Sequence, residues 1–519
     1  VRALRLIHAM GMALAVAQAA DGSNREPSPP RLWGPLFSDV SLTLVPGAGI
    51  EAAGPLWATR ETDGVHTTRL SPLWAHETEP QLEREEWDIL YPLISYDRFG
   101  TEHRLQIAQL LQFNGGTTVE GEVKQRQTLF PFYFRQKSSG GTNDYLAVLP
   151  FYGHLQNHLF RDKVRFVAAP LYVESEKRGV TTRNYLFPFF SLRSGGGVSG
   201  YQLWPIVGSE TKTPTTRTNS LDELEVVPGH RRDFILWPFL LSENADIGGT
   251  NPTTNRFAAP FYLRTRSPET DFTWWFGFSS RTNRVAQFQE WGYPWPILGR
   301  ARGPGRHSNR FFPIWGRATN ASMTSDFVAW PAYSHKLTRA GTLERERTRL
   351  LYFGWSDLRE EDTASGRAFR RRDLWPLFTW RRDFEGRQQL RILAPVEPVL
   401  PANKGIDRLH APLWSLWRSD FDPTRQRRSQ SLLWNLWRRD QVGTTSNTSA
   451  FFGLVQTHRT DKGRTWRVGV GPWGIGPRPP ALPPRSPSAA LKVPSENRSL
   501  VPLRTPAPAG SGTSSAIRH

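Results

Sequence analysis

Apolar positions along this 519-residue chain fall in short clusters, and a proline stands at the centre of most of them. The clusters read roughly [Leu/Ala]-[Trp/Phe]-Pro-[Leu/Phe]-[Tyr/Trp]. Trp33-Gly34-Pro35-Leu36-Phe37, Ser71-Pro72-Leu73-Trp74, Phe130-Pro131-Phe132-Tyr133 and Phe187-Pro188-Phe189-Phe190 are examples. Further copies centre on Pro205, Pro238, Pro260, Pro296, Pro313, Pro331, Pro376, Pro395 and Pro412. Consecutive prolines are commonly 17–20 residues apart. Wider gaps hold degenerate copies, such as Trp275-Phe276-Gly277-Phe278 and Leu351-Tyr352-Phe353-Gly354-Trp355. Such regular recurrence marks a repeat architecture.

Polar segments rich in Gly, Asn, Ser and Asp separate the clusters. Lys137-Ser138-Ser139-Gly140-Gly141-Thr142-Asn143-Asp144 and Thr460-Asp461-Lys462-Gly463 are two of them. Gly and Asn supply the positive φ of tight hairpins, so these segments read as turns. A strand of about 10 residues plus one turn accounts for the period and predicts an all-β antiparallel meander of about 22–24 strands. The proline then falls inside each strand, where it cannot donate a ladder hydrogen bond and marks a bulge or kink. Alternation places the residue two beyond each proline on one face. That residue is usually aromatic (Trp57, Trp74, Tyr133, Tyr152, Trp315). Three beyond proline a small residue recurs (Ala58, Ala75, Gly153, Gly208, Gly316), which eases a close approach.

A sheet this long needs closure to hide its edges. A large β-barrel is the first solution, and a propeller or stacked β-repeat array is the alternative. A parallel solenoid is disfavoured by the hairpin turns. Over about residues 30–475 the pattern resembles that of bacterial outer-membrane β-barrels, with no motif of a particular family. The resemblance implies a transmembrane barrel with aromatic girdles.

Composition adds to this picture. Residues 1–20 read as a signal peptide, with Arg2 and Arg5 before a short apolar run and Ala17-Gln18-Ala19 as the cleavage motif. Residues 21–30 read as a linker, 31–475 as the β-repeat domain, and 476–519 as a disordered tail rich in Pro, Ser, Ala and Arg. Cysteine is absent, which excludes disulfides and thiolate chemistry. Mean hydropathy is −0.50, and no apolar run after the N-terminus is long enough for a spanning helix.

The formal net charge is +19, carried mostly by Arg at strand ends and turns. With an export signal this points away from nucleic acid and toward outer-membrane lipid or lipopolysaccharide, with small anionic solutes as further partners. Arg135, Arg264, Arg300, Arg317 and Arg381 are the candidate anion contacts. No H-E-x-x-H, G-x-S-x-G or Walker loop is present. His154 and His158, and Glu83, Glu85 and Glu86, read as polar residues near hairpins. Asp373, Asp383 and Asp440 read as partners in cross-strand ion pairs. No catalytic residue, cofactor or metal is expected. The sequence thus predicts a structural or transport-type outer-membrane barrel. A soluble or surface-attached module binding glycans or peptides through its Trp and Tyr side chains is the alternative.

Overall fold

The computed structural model describes residues 31–482, apart from 34, 35, 63, 118–120, 142, 159, 219–223, 402, 471 and 472. The expected signal peptide, the linker and most of the expected tail lie outside the described residues. The chain is all-β. Its strands form one antiparallel meander of 43 strands, while Thr215–Thr218 and Leu224–Val227 pair as a separate hairpin. A short helical insert, Ile406–His410 continuing into Ala411–Trp414, precedes the strand Trp417–Asp422.

The strands are about twice as numerous and half as long as the sequence pattern predicted. Between Pro72 and Pro92 lie two strands, Trp74–Glu79 and Arg84–Ile89, rather than one. The proline clusters are turns, not strand centres. In Phe130-Pro131-Phe132 the amide of Phe132 donates to the carbonyl of Leu129 at 2.7 Å. Pro131 therefore occupies the third position of a four-residue turn, and its peptide bond is cis. The same cis X–Pro turn recurs from Ser71-Pro72 to Trp375-Pro376. Apart from Ser71, these turns carry almost none of the polar residues that usually betray a turn, which is why an apolar run hides them.

Proline turns alternate with polar hairpins, so all proline turns fall on one long edge of the sheet and all polar hairpins on the other. At the polar edge, Arg178 and Gly179 connect Tyr172–Lys177 to Val180–Tyr185 with φ of +50° and +77°. Positive φ at both central residues matches the twist of the flanking strands. At the proline edge, neighbouring turns are stitched together. Ser71 N–H donates to the Leu56 carbonyl (2.6 Å), Leu90 N–H to Leu73 (2.6 Å), and Leu149 N–H to Phe132 (2.7 Å). Lone turn amides are thereby satisfied by carbonyls of the preceding repeat.

The small residue three beyond proline has a packing role. A Cβ on Gly153 would lie 2.3 Å from the Phe166 ring. On Gly208 it would lie 2.2 Å from Phe234, and on Gly316 2.2 Å from Phe327. In each case the register sets the glycine opposite that phenylalanine. The glycine is a seat for an aromatic ring laid across the sheet. Gly316→Leu should therefore destabilise the repeat by about 1–3 kcal/mol, as overpacking does. A urea melt at wild-type stability would contradict that role. Packed apolar side chains gather around Tyr145, Ala147, Leu155, Val164 and Phe166, and elsewhere the sheet is a single layer with few buried apolar groups.

The sheet is not closed into the expected barrel. Arg31–Leu32 pairs only with Phe37–Ser41, and Gly463–Val468 pairs only with Val455–Thr460, aside from an isolated bridge between Val468 and Ile475. It is not divided into propeller blades either, because the ladder runs on without a break from strand to strand. Strands near the two ends instead meet through side chains. Arg418 donates to Glu51 at 2.8 and 3.0 Å, Asn435 donates to Glu51 at 2.8 Å, and Arg427 donates to the Ser41 carbonyl at 3.1 Å.

Candidate functional site

The proline edge is the most distinctive surface of the molecule. The residue after most of these prolines projects from the turn and is exposed: Leu36 at 73%, Phe151 at 70% and Phe132 at 59% of full exposure. Behind the turns, the first and last residues of each strand pair in a continuous apolar row on one face. The row runs Trp57, Leu70, Trp74, Ile89, Ile94 and Ile107, each opposite the next. It continues through Tyr133, Val148, Tyr152, Val167 and Tyr172. Rings meet along the edge in tilted pairs, Trp204–Trp237 at 5.8 Å and Phe312–Trp330 at 5.6 Å, and in an edge-to-face pair, Phe353–Trp375 at 5.4 Å between centroids. Scattered exposed apolar residues are ordinary, but soluble monomers rarely carry a contiguous apolar strip of this length.

Two residues farther along the strands, on the same face, the side chains turn polar and basic. Arg135, Arg264, Arg300 and Arg317 all stand in this second row, about 7 Å above the apolar one. Arg300 and Arg317 flank Asn309 in register. Arg317 pairs with Asp326 at 2.8 Å, and Arg264 lies 3.7 Å from Asp271. Arg135 and Arg300 have no carboxylate within ion-pair distance among the described residues. The four do not converge on one point but form a line. Arg381 does not join them: its register with Arg371 and Gln389 places it on the opposite face.

That opposite face is the one through which the two ends of the sheet meet. Glu51 is its centre, held by Arg418 and Asn435, with Arg60 at 3.8 Å. Burial alone would push the Glu51 carboxyl up, but the charge and hydrogen bonds of Arg418, helped by Arg60 and Arg69, hold it far below the usual carboxylate range. The helical insert contributes Arg408, which bonds Glu86 at 2.8 Å and lies 3.5 Å from Asp88 and 3.6 Å from Glu77. Glu86 is desolvated, yet Arg408 and Arg84 lower its pKa. Neither the Glu51 nor the Arg408 cluster was legible in the sequence, because the partners lie hundreds of residues apart.

Since the folded pKa values of Glu51 and Glu86 lie below the unfolded ones, their stabilisation is complete above about pH 4.5 and is lost as pH falls through the folded values. Protease should therefore cut the N-terminal strands faster at pH 3 than at pH 7. Equal cutting would contradict the ion-pair account.

The remaining polar candidates have structural partners. Glu85 accepts from the indole of Trp87 at 2.9 Å and pairs with His76 at 3.2 Å. Asp373 and Asp440 pair with Arg371 and Arg438 two residues away on their own strands, not across strands as expected, and Asp383 lies 3.9 Å from Arg387 four residues on. His154 begins near a proline turn and His158 ends the same strand. Among the described residues no three His, Asp or Glu side chains are grouped to hold a metal ion. No family model matches the chain, and no curated protein matches it.

Proposed function

We propose that this chain is a non-catalytic envelope protein that lies along a lipid surface, with its proline edge inserted and its arginine row at the headgroups. The single observation that carries this reading is the segregation of the two edges: proline turns with an exposed apolar residue recur along one edge, and the opposing hairpins are mostly polar, Phe160 being an exposed exception. An amphipathic helix that binds in the membrane interface buries its apolar face about 5–10 Å deep. The turns and first strand residues supply a layer of that depth. Guanidinium groups about 7 Å above it match the height of lipid phosphates, which Arg binds bidentately. Trp204, Trp237 and Trp330 on the edge suit the interface, where indole has both an apolar body and a polar N–H. Outer-membrane lipid or lipopolysaccharide is the partner this chemistry fits, and export to the bacterial outer membrane is the location.

A closed transmembrane barrel is the second reading, favoured by the contact between the two ends. Strand length weighs against it. Six residues reach about 20 Å, whereas spanning strands need about 9–11 residues and an apolar band of about 25 Å. Here the apolar band is only one residue deep behind the turn. Vesicle flotation tests the interfacial reading. The protein should float with vesicles containing phosphatidylglycerol or lipopolysaccharide and only weakly with pure phosphatidylcholine. Raising salt from about 50 to 500 mM should weaken the anionic preference without abolishing binding, since salt screens charge but not apolar burial. No flotation with either vesicle would sink the proposal. Heat-modifiable migration after detergent extraction would favour the barrel instead.

A further inference from the structure

The junction between the two ends of the sheet encloses more than ion pairs. A cavity of about 100 Å³ lies there, lined by residues from both ends, among them Thr43, Arg60, Arg69, Arg391 and Arg418. It is several times larger than one water needs. Its lining holds five arginines (60, 69, 391, 418 and 438) against three carboxylates (Glu51, Asp407 and Asp420).

Those carboxylates are already engaged. Glu51 accepts from Arg418 and Asn435, Asp407 lies 3.5 Å from Arg391, and Asp420 accepts from Gln389 at 3.2 Å. Arg438 is spoken for by Asp440, to which it donates at 2.7 and 3.0 Å. Arg69 is the exception. It is only 4% exposed and has no carboxylate partner. One of its amino groups donates to the Arg408 carbonyl at 3.0 Å, while its Nε and Nη2 find no acceptor in the protein. Arg418 Nε and the buried Thr43 hydroxyl also have no partner.

These unpartnered atoms share a chemical sense. A guanidinium can only donate, and a hydroxyl can donate as well. A buried donor without an acceptor is costly, and a buried unpaired cation more so. Donors from three separate segments surround one cavity with surplus positive charge. Burial pushes the Arg69 guanidinium well below its ordinary pKa, and the neighbouring Arg60, Arg418 and Arg391 add to that push. An acceptor carrying negative charge and several oxygens would relieve all of these at once.

We infer that the junction is a binding site for one small tetrahedral oxyanion of the phosphate class, held by Arg69, Arg418 and Thr43. Because its donors come from Thr43 and Arg69 near the N-terminal end of the sheet and Arg418 near the C-terminal end, the anion clasps these two regions together. This inference does not rest on the lipid reading, because the proline edge contributes none of the three donors.

The test is calorimetric titration of the folded full chain with inorganic phosphate, with acetate and chloride as parallel arms. A single saturable site is expected, and it should raise the temperature at which the protein melts. Arg69→Gln should weaken binding by 30-fold or more on the order-of-magnitude scale of a lost charged hydrogen bond, and Thr43→Val by about 3- to 10-fold. Should Arg69→Gln fail to fold by circular dichroism, Thr43→Val decides the matter. The inference is overturned by the absence of saturable uptake, by equal uptake in the wild type and Thr43→Val, or by acetate or chloride binding as tightly as phosphate. Loss of vesicle flotation with retained phosphate uptake would remove the lipid reading and leave this one standing.

Discussion

Replacing Phe132, Phe151 and Phe189 together with Asp should lower the affinity for anionic vesicles by more than 100-fold. All three project from proline turns and are more than half exposed, so the folded sheet does not depend on their burial. In lipid each would bury apolar surface worth about 1.5–3 kcal/mol at full transfer. Asp forfeits that gain and adds the cost of carrying a carboxylate toward an anionic surface. Half of the apolar term at three sites comes to about 2.3–4.5 kcal/mol, and the added carboxylate cost carries the sum past the 2.7 kcal/mol or so that a 100-fold change requires. Flotation or a vesicle titration reads the loss directly, and an unchanged circular dichroism spectrum shows that the sheet persists. The matched variant on the polar edge, Lys462→Asp, should change binding less than about fivefold, in keeping with the roughly 1 kcal/mol or less of one distant basic group.

Glu51→Gln should release the ends of the sheet. The carboxylate is buried at 9% exposure and is shared by Arg418, Arg60 and Asn435. Removing one member of a buried ion pair costs about 3–5 kcal/mol, because the other charge stays buried without compensation. The loss should be local, since each part of a repeat sheet contacts chiefly its neighbours. Hydrogen exchange should therefore speed up in Phe37–Ser41, Gly47–Ala52 and Trp417–Asp422, while Tyr333–Ala340 keeps its protection. Uniform exchange rates across wild type and variant would contradict the junction. Uniform loss of protection would show that the ends and the middle unfold as one unit.

The repeat itself was plain in the sequence, and so was the all-β class. The polar hairpins were recognised because segments such as Ser139-Gly140-Gly141 and Asp461-Lys462-Gly463 carry a compositional signal. The proline turns were not, because Phe130-Pro131-Phe132 contains no polar residue and continues the apolar run of the strands on both sides. Reading that run as a strand centre halved the strand count and moved the apolar belt from an edge to the middle of the sheet. The recurrent small residue was correctly tied to a close approach, but its partner, such as Phe327 over Gly316, depends on a register that periodicity alone does not give. Four of the five arginines chosen from the sequence share a row because each follows a proline at a similar offset. Arg381 misses it by one residue, which in a strand reverses the face. The junction around Glu51 was illegible for a simpler reason: Arg418 is 367 residues away, and a short polar pattern carries no trace of so distant a partner.

The decisive question is which part of the protein enters lipid. The chain contains no cysteine, so single cysteines can be placed at will and spin-labelled. Labels at Phe151 on the proline edge, Arg300 in the second row and Gly341 on the polar edge sample three heights along the strands. With the protein bound to anionic vesicles, power saturation should report oxygen access and shielding from a water-soluble relaxer at 151. It should report an interfacial position at 300 and full aqueous access at 341. Three aqueous labels, or three labels immersed in lipid as a spanning strand would require, would contradict an edge-on ribbon.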